Sequence, residues 1–138
     1  MPQQAVLIID DEGAYSRVVA EFLQKRGFRA RTAGRGLGGL FAAKRDRPDL
    51  ILLDVMMPEV DGLEVLRKIR RDSTLARTKV LVISALATDA DRRAALDAGA
   101  DGFLAKPFTL EELTATLSQF GPADAGRPPE VEVSPAGG

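Results

Sequence analysis

The 138-residue chain contains neither cysteine nor histidine. Without cysteine there is no disulfide framework, zinc–thiolate site, iron–sulfur cluster or thiol nucleophile. Without histidine, Ser-His-Asp triads and imidazole metal sites are excluded as well. No apolar run approaches the roughly 18 residues of a membrane span. The opening Met-Pro-Gln-Gln lacks the basic-then-apolar pattern of a signal peptide, which points to the cytoplasm. An excess of one charge is missing too: 19 Lys and Arg stand against 20 Asp and Glu. The two signs are interleaved rather than blocked, which argues against broad binding to nucleic acid or to an anionic membrane. What remains suffices for a single core, as one domain or one domain with a tail.

Three short, wholly apolar runs are present, at residues 5–9, 50–53 and 80–83. Runs of this length without alternation fit strands buried on both faces, as in a parallel sheet. Residues 28–33 alternate Phe28, Ala30 and Thr32 against Arg29 and Arg31, which suits a half-exposed strand, and residues 103–105 form a short fifth candidate. Helical patterns lie between them. Tyr15, Val18, Val19, Phe22 and Leu23 share one helix face, and Gly27 supplies a stop. Residues 61–72 open on Asp61-x-x-Glu64, close to a capping box, and place Val65, Leu66 and Ile69 on one side. Residues 88–98 open on Thr88-x-x-Asp91, and residues 109–120 on Thr109-x-x-Glu112. Four glycines between Gly34 and Gly39 predict a second helix that starts late, near Gly38, and is the least stable. Strict alternation of strand and helix implies a doubly wound parallel sheet with helices on both faces. From Gly121 onward the chain is rich in Pro, Gly and Ala, so residues 1–120 read as the domain and 121–138 as a disordered tail or linker.

Ligands of open parallel sheets bind at the carboxyl ends of the strands. The first run ends in Asp10-Asp11, the third in Asp54, the fourth in Ser84 and the fifth in Lys106. Three carboxylates, a hydroxyl and an ammonium are thus expected at one edge, with the second strand peripheral. Clustered carboxylates cannot all stay ionised unaided, and a hard divalent cation with oxygen ligands suits them best. Lys106 is a suitable point charge for a phosphate oxygen, and Ser84 can donate a hydrogen bond to another. There is no nucleotide-binding P-loop to bring that phosphate, whereas Asp54 can itself act as a carboxylate nucleophile. The cation and Lys106 would offset the charge developing on a phosphoryl group.

These residues resemble the receiver domain of two-component response regulators, a CheY-like family. The match spans residues 5 to 120. It rests on Asp10-Asp11, on Leu-Leu-Asp54-Val-Met-Met-Pro58-x-x-Asp61-Gly62, on Ser84-Ala85 and on Lys106-Pro107-Phe108. Each motif is weak alone, and the four at these spacings are highly specific. The resemblance implies an α/β, (βα)5 flavodoxin-like fold with a five-stranded parallel sheet in the order 2-1-3-4-5. Asp54 would be the phosphoacceptor. Mg²⁺ would be ligated by Asp11 directly, by Asp10 mainly through water, by Asp54 and by the main-chain carbonyl of Met56. Lys106 would contact the phosphoryl group, and the peptide before Pro107 would be cis. Ser84 and Phe103 would be the switch pair that reshapes the face of the fourth helix, fifth strand and fifth helix. Implied partners are a sensor histidine kinase or phosphotransfer protein and a downstream protein, without nucleic acid or membrane contact by this domain. Dimerisation through the switch face, common in the family, has no local pattern here that decides it. Such a domain catalyses its own phosphorylation rather than turning over an external substrate.

Taken singly, each feature has a plain reading. Asp10-Asp11 could cap a helix, Asp54-x-x-x-Pro58 could be a turn, Lys106 a solvated charge, Ser84 a strand-end hydroxyl and Phe103 core. Gly34-x-Gly36-x-x-Gly39 matches a dinucleotide fingerprint, but it follows an Arg-bearing strand rather than opening the first βα unit, and is better read as a loosened helix. The alternative on the same fold is a non-phosphorylated interaction module, whose mark would be loss of an acidic residue or the lysine. A Mg²⁺-dependent phosphohydrolase would want a second Asp two residues after the nucleophile, where Met56 stands. Met56 and Leu86, each two residues past a site residue, are apolar where a hydrolytic water must approach, which predicts a long-lived phosphoryl-aspartate.

Overall fold

In the computed structural model, which describes residues 4–119 except 12, 35, 58 and 59, the apolar runs become the middle of a sheet. The strands are β1 (Ala5–Ile9), β2 (Arg29–Ala33), β3 (Leu50–Asp54), β4 (Lys79–Ser84) and β5 (Gly102–Ala105). The helices are α1 (Gly13–Lys25), α2 (Gly36–Asp46), α3 (Gly62–Arg71), α4 (Asp89–Asp97) and α5 (Leu110–Ser118). The sheet runs β2-β1-β3-β4-β5, and every adjacent pair is parallel. A two-residue antiparallel pair, Met56–Met57 with Val60–Asp61, follows β3.

Alternate residues of each central strand feed two cores. Leu7, Ile9, Ile51, Leu53, Val80 and Val82 face α2, α3 and α4, where Ala43, Leu66, Ile69 and Ala95 are buried. Val6, Ile8, Leu50, Leu52, Leu81 and Ile83 face α1 and α5, meeting Val19, Leu23, Leu113 and Leu117. Burying a side chain of this size contributes about 1.5–3 kcal/mol. All five residues of β3 are buried, whereas all four of β5 are partly exposed. The central strands therefore hold the strand ends in fixed relation.

The helix ends follow their local chemistry. Thr88 with Asp91 and Thr109 with Glu112 form complete capping boxes. Asp61 caps α3 by accepting from the Leu63 amide at 3.0 Å, but the reciprocal half is absent. Glu64 turns instead to Arg67 and Arg71, each at 3.2 Å. Gly27 adopts a left-handed φ of 95° just past α1, as its stop role requires.

Two expectations need correction. α2 begins at Gly36 rather than near Gly38. The reason lies at Gly39, where an added Cβ would fall 2.6 Å from Ile9 Cγ2, so this glycine lets the helix lie against β1. Tertiary packing thus outweighs the intrinsic cost of glycine in a helix. Val18, placed by periodicity on the apolar face of α1, is exposed, and Ser16 and Ala20 are buried instead. Phe120, Pro58 and the expected tail 121–138 lie outside the described residues. Among the described residues, no helix is long and apolar enough to cross a membrane.

Candidate functional site

Because all five strands are parallel, their carboxyl ends lie along one edge. Asp10 and Asp11 follow β1, Asp54 closes β3, Ser84 closes β4 and Lys106 follows β5. The main chain fixes their relative positions. The Lys106 amide donates to the Ser84 carbonyl at 2.9 Å, and the Val55 amide to the Ile83 carbonyl at 3.1 Å. Ladder bonding thus continues past the last residues of β3 and β5. The Asp10 amide donates to the Ala33 carbonyl at 3.1 Å, which ties the acidic pair to β2.

Lys106 joins three strands at their ends. Its Nζ lies 2.9 Å from Asp54 Oδ2 and 3.4 Å from Asp10 Oδ2. Both carboxylates are buried, each 3% exposed. Buried charge is costly unless paired and hydrogen-bonded, and the ammonium pairs with both carboxylates at this edge. Asp54 Oδ1 accepts from the Met56 amide at 2.8 Å. Ser84 is buried, and its Oγ accepts from the Leu86 amide at 3.0 Å. Asp11 is exposed, and the Lys106–Pro107 peptide is cis. Gly62 sets the turn behind Asp54: an added Cβ there would come 2.3 Å from Val55 Cα.

Among the described residues, no three carboxylates close into a metal cage by themselves. The donors at this edge are all oxygens, which suits a hard cation such as Mg²⁺, an ion that keeps several water ligands and needs only one or two carboxylates. Asp10, Asp11, Asp54 and the Met56 carbonyl are the groups available to it.

Phe103 is half-buried in β5, packed on the core shared by α2, α3 and α4. The guanidinium of Arg92, from α4, covers its ring at 4.9 Å. This contact was not foreseen. Nor was that of Tyr15, whose ring lies 4.9 Å from Lys106 Nζ and meets Phe108 edge-on at 5.8 Å. Helical periodicity marks Tyr15 as one more apolar-face residue. The available signal was its position, four residues past Asp11 in the first turn of α1. Met56 and Leu86 flank the edge, 49% and 51% exposed.

The sequence matches the family described as "Response regulator receiver domain" over residues 6–118. The "Probable transcriptional regulatory protein TcrX" of Mycobacterium tuberculosis is 40% identical over 112 residues, covering 81% of this chain and 47% of the relative. The chain thus spans about half the length of the curated relatives it matches. Chemotaxis protein CheY4 of Vibrio cholerae superposes with a TM-score of 0.81 at 31% identity, covering 86% of this chain and 98% of CheY4. The receiver domain of sensor histidine kinase PA1611 from Pseudomonas aeruginosa PAO1, solved with a magnesium ion in its active site cleft, gives 0.77 at 31% identity, covering 86% and 97%. The reading as a non-phosphorylated interaction module finds no support among these relatives. By sequence and by strand order alike, this chain belongs to the response regulator receiver domains, the phosphorylation-dependent signalling receivers of two-component systems.

Proposed function

We propose that Asp54 accepts a phosphoryl group from the phosphohistidine of a sensor histidine kinase or phosphotransfer protein. The observation that carries this reading is the ammonium of Lys106 held between the buried carboxylates of Asp54 and Asp10. In the reaction an Asp54 carboxylate oxygen bonds to phosphorus as the phosphorus–nitrogen bond breaks, and the imidazole leaves with the electron pair. The Met56 amide, bonded to Oδ1, orients the nucleophile and leaves the other oxygen toward Lys106. Lys106 then balances charge on the phosphoryl oxygens, the electrostatic service on which such transfers depend. Asp10, Asp11, Asp54 and the Met56 carbonyl would hold Mg²⁺, which supplies further charge neutralisation at the transferred group.

The modified site would signal through Ser84 and Phe103. Ser84 can exchange its present acceptor role toward the Leu86 amide for donation to a phosphoryl oxygen, drawing the β4–α4 connection inward. Phe103 lies in β5 under Arg92 of α4, so a change in its rotamer bears on the face formed by α4, β5 and α5. A downstream protein that reads this face would complete the pathway.

Intact mass after incubation with acetyl phosphate, with and without Mg²⁺ and beside Asp54→Asn, tests the reading. One phosphoryl adduct that needs both Mg²⁺ and Asp54 is the expected result. No adduct, together with no binding of beryllofluoride, would overturn it.

A further inference from the structure

β2 is an outer strand of the sheet, with α1 and α2 packed on opposite faces beside it. Between the two helices a cleft of about 440 Å³ opens along the strand. That volume falls within the roughly 300–1,000 Å³ of small-molecule sites. Among the described residues, the cleft shares no lining with the Asp54 edge.

The walls of the cleft are charged. Arg17 and Glu21 come from α1, Arg31 and Thr32 from β2, and Arg45 and Asp46 from the end of α2. Arg45 grips Asp46 through two bonds, Nε to Oδ1 at 2.9 Å and Nη2 to Oδ2 at 3.3 Å. Arg31 Nη1 lies 3.7 Å from the same Oδ2, beyond hydrogen-bond length. One carboxylate thus brings two guanidiniums together and neutralises only one of them. The Arg31 side chain is 70% exposed and Arg17 is exposed as well, so both keep their donors for a ligand. A guanidinium fork fits phosphate bidentately, which an ammonium cannot do.

A second, independent feature stands on the rim. Phe41 of α2 is 69% exposed, while the next two residues, Ala42 and Ala43, are buried. Leu40, Ala42 and Ala43 make the contacts of α2 with the core, so packing does not account for the ring. Residues three and four apart on a helix are neighbours. Phe41 therefore lies between Arg45, which lines the cleft, and Gly38, where an added Cβ would meet nothing within 4 Å. An exposed ring with open space on one side and a guanidinium on the other is a platform on which a planar base can stack.

We infer that this cleft binds a nucleotide, with its phosphates held by Arg31 and Arg45 and its base stacked on Phe41. Arg17 adds positive charge across the cleft. Glu21 repels phosphate from the α1 wall while Arg31 and Arg45 attract it, so the anionic end settles toward α2, the helix that carries the ring. One helical turn, about 5.4 Å, separates Arg45 from Phe41, room for one ribose between phosphate and base. Asp46 takes no part in binding and serves to orient the two guanidiniums. This inference is independent of the chemistry at Asp54.

Amide NMR titration of the full 138-residue chain with ADP tests it, in excess chelator so that no divalent ion reaches Asp54. Expected are saturable shifts of the Arg31, Thr32 and Arg45 amides. Phe41→Ala should weaken ADP at least about fivefold, the lower end of what stacking a base on an aromatic ring contributes, and leave pyrophosphate binding unchanged. Arg31→Gln should weaken ADP and pyrophosphate alike. Both residues are exposed, so neither variant should disturb the fold. No saturable shift at millimolar ADP would overturn the inference. So would ADP affinity indifferent to Phe41→Ala, which would leave an anion site without base recognition. Shifts confined to Asp10, Asp54 and Lys106 would overturn it too, because the nucleotide would then sit at the other edge.

Discussion

The ammonium of Lys106 lies 4.9 Å from the ring centroid of Tyr15, a ring that also meets Phe108 edge-on at 5.8 Å. A lysine stem has four flexible carbons, so its head must be confined to serve two carboxylates at once. The aromatic face does this while adding cation–π attraction of about 0.5–1 kcal/mol. Tyr15→Leu should therefore slow phosphorylation by acetyl phosphate between about twofold and about fivefold, whereas Tyr15→Phe should stay near wild type. Matching rates for all three proteins would remove Tyr15 from the site.

Removing the ammonium itself leaves Asp10 and Asp54 buried without their common partner. Lys106→Met should lower stability by about 3 kcal/mol in urea titrations without divalent metal. Adding Asp54→Asn should recover part of that loss, since one stranded charge disappears. A double variant no more stable than Lys106→Met would argue against electrostatic repulsion as the cause.

Gly62 has no room for a methyl group against the Val55 backbone, one residue past Asp54. Gly62→Ala should cost about 1–3 kcal/mol by overpacking and also slow phosphorylation, because the displaced turn carries the Met56 amide that orients Asp54. Loss of stability with an unchanged phosphorylation rate would separate the two effects.

Met56 and Leu86 place half-exposed apolar side chains beside the site. Decay of the phosphorylated form should be faster in Met56→Asn and in Leu86→Glu than in wild type, because each variant can hold an attacking water. Decay that is unchanged or slower in both would sink this idea.

Arg70 ties three segments together at the opposite end of the sheet. Its guanidinium donates to the Gly99 carbonyl at 2.8 Å, to the Thr78 carbonyl at 2.6 Å and to Asp101 Oδ2 at 2.7 Å. Asp101 Oδ2 also accepts from the Val80 amide at 2.9 Å. Arg70→Ala should cost roughly 2 kcal/mol, and Arg70→Lys should rescue little, because one ammonium cannot reproduce a planar fork. A full rescue by lysine in thermal unfolding would show that charge alone matters.

The sheet was legible because a parallel strand buried on both faces reads as an uninterrupted apolar run, and the residue after each run is the one a doubly wound sheet presents to ligands. Asp10, Asp11, Asp54, Ser84 and Lys106 all stand at such ends. What was not legible depends on contacts between distant segments. Glycine at 39 reads as a helix breaker until Ile9 is seen against it, and Tyr15 reads as core until Lys106, 91 residues away in sequence, arrives over its ring. Asp61-x-x-Glu64 reads as a capping box, yet Glu64 has two arginines within reach on its own helix and takes them instead.

The contrast between a wholly buried β3 and a partly exposed β5 has a mechanical consequence. Asp54 closes a strand that is buried along its whole length and flanked by neighbours on both sides, so a phosphoryl group accepted there would meet tightly packed surroundings. Under the proposed function, adjustment to it would fall to β5, which is partly exposed along its whole length, and to α4 beside it. The domain is densely buried where it would be written on and more open where it would be read.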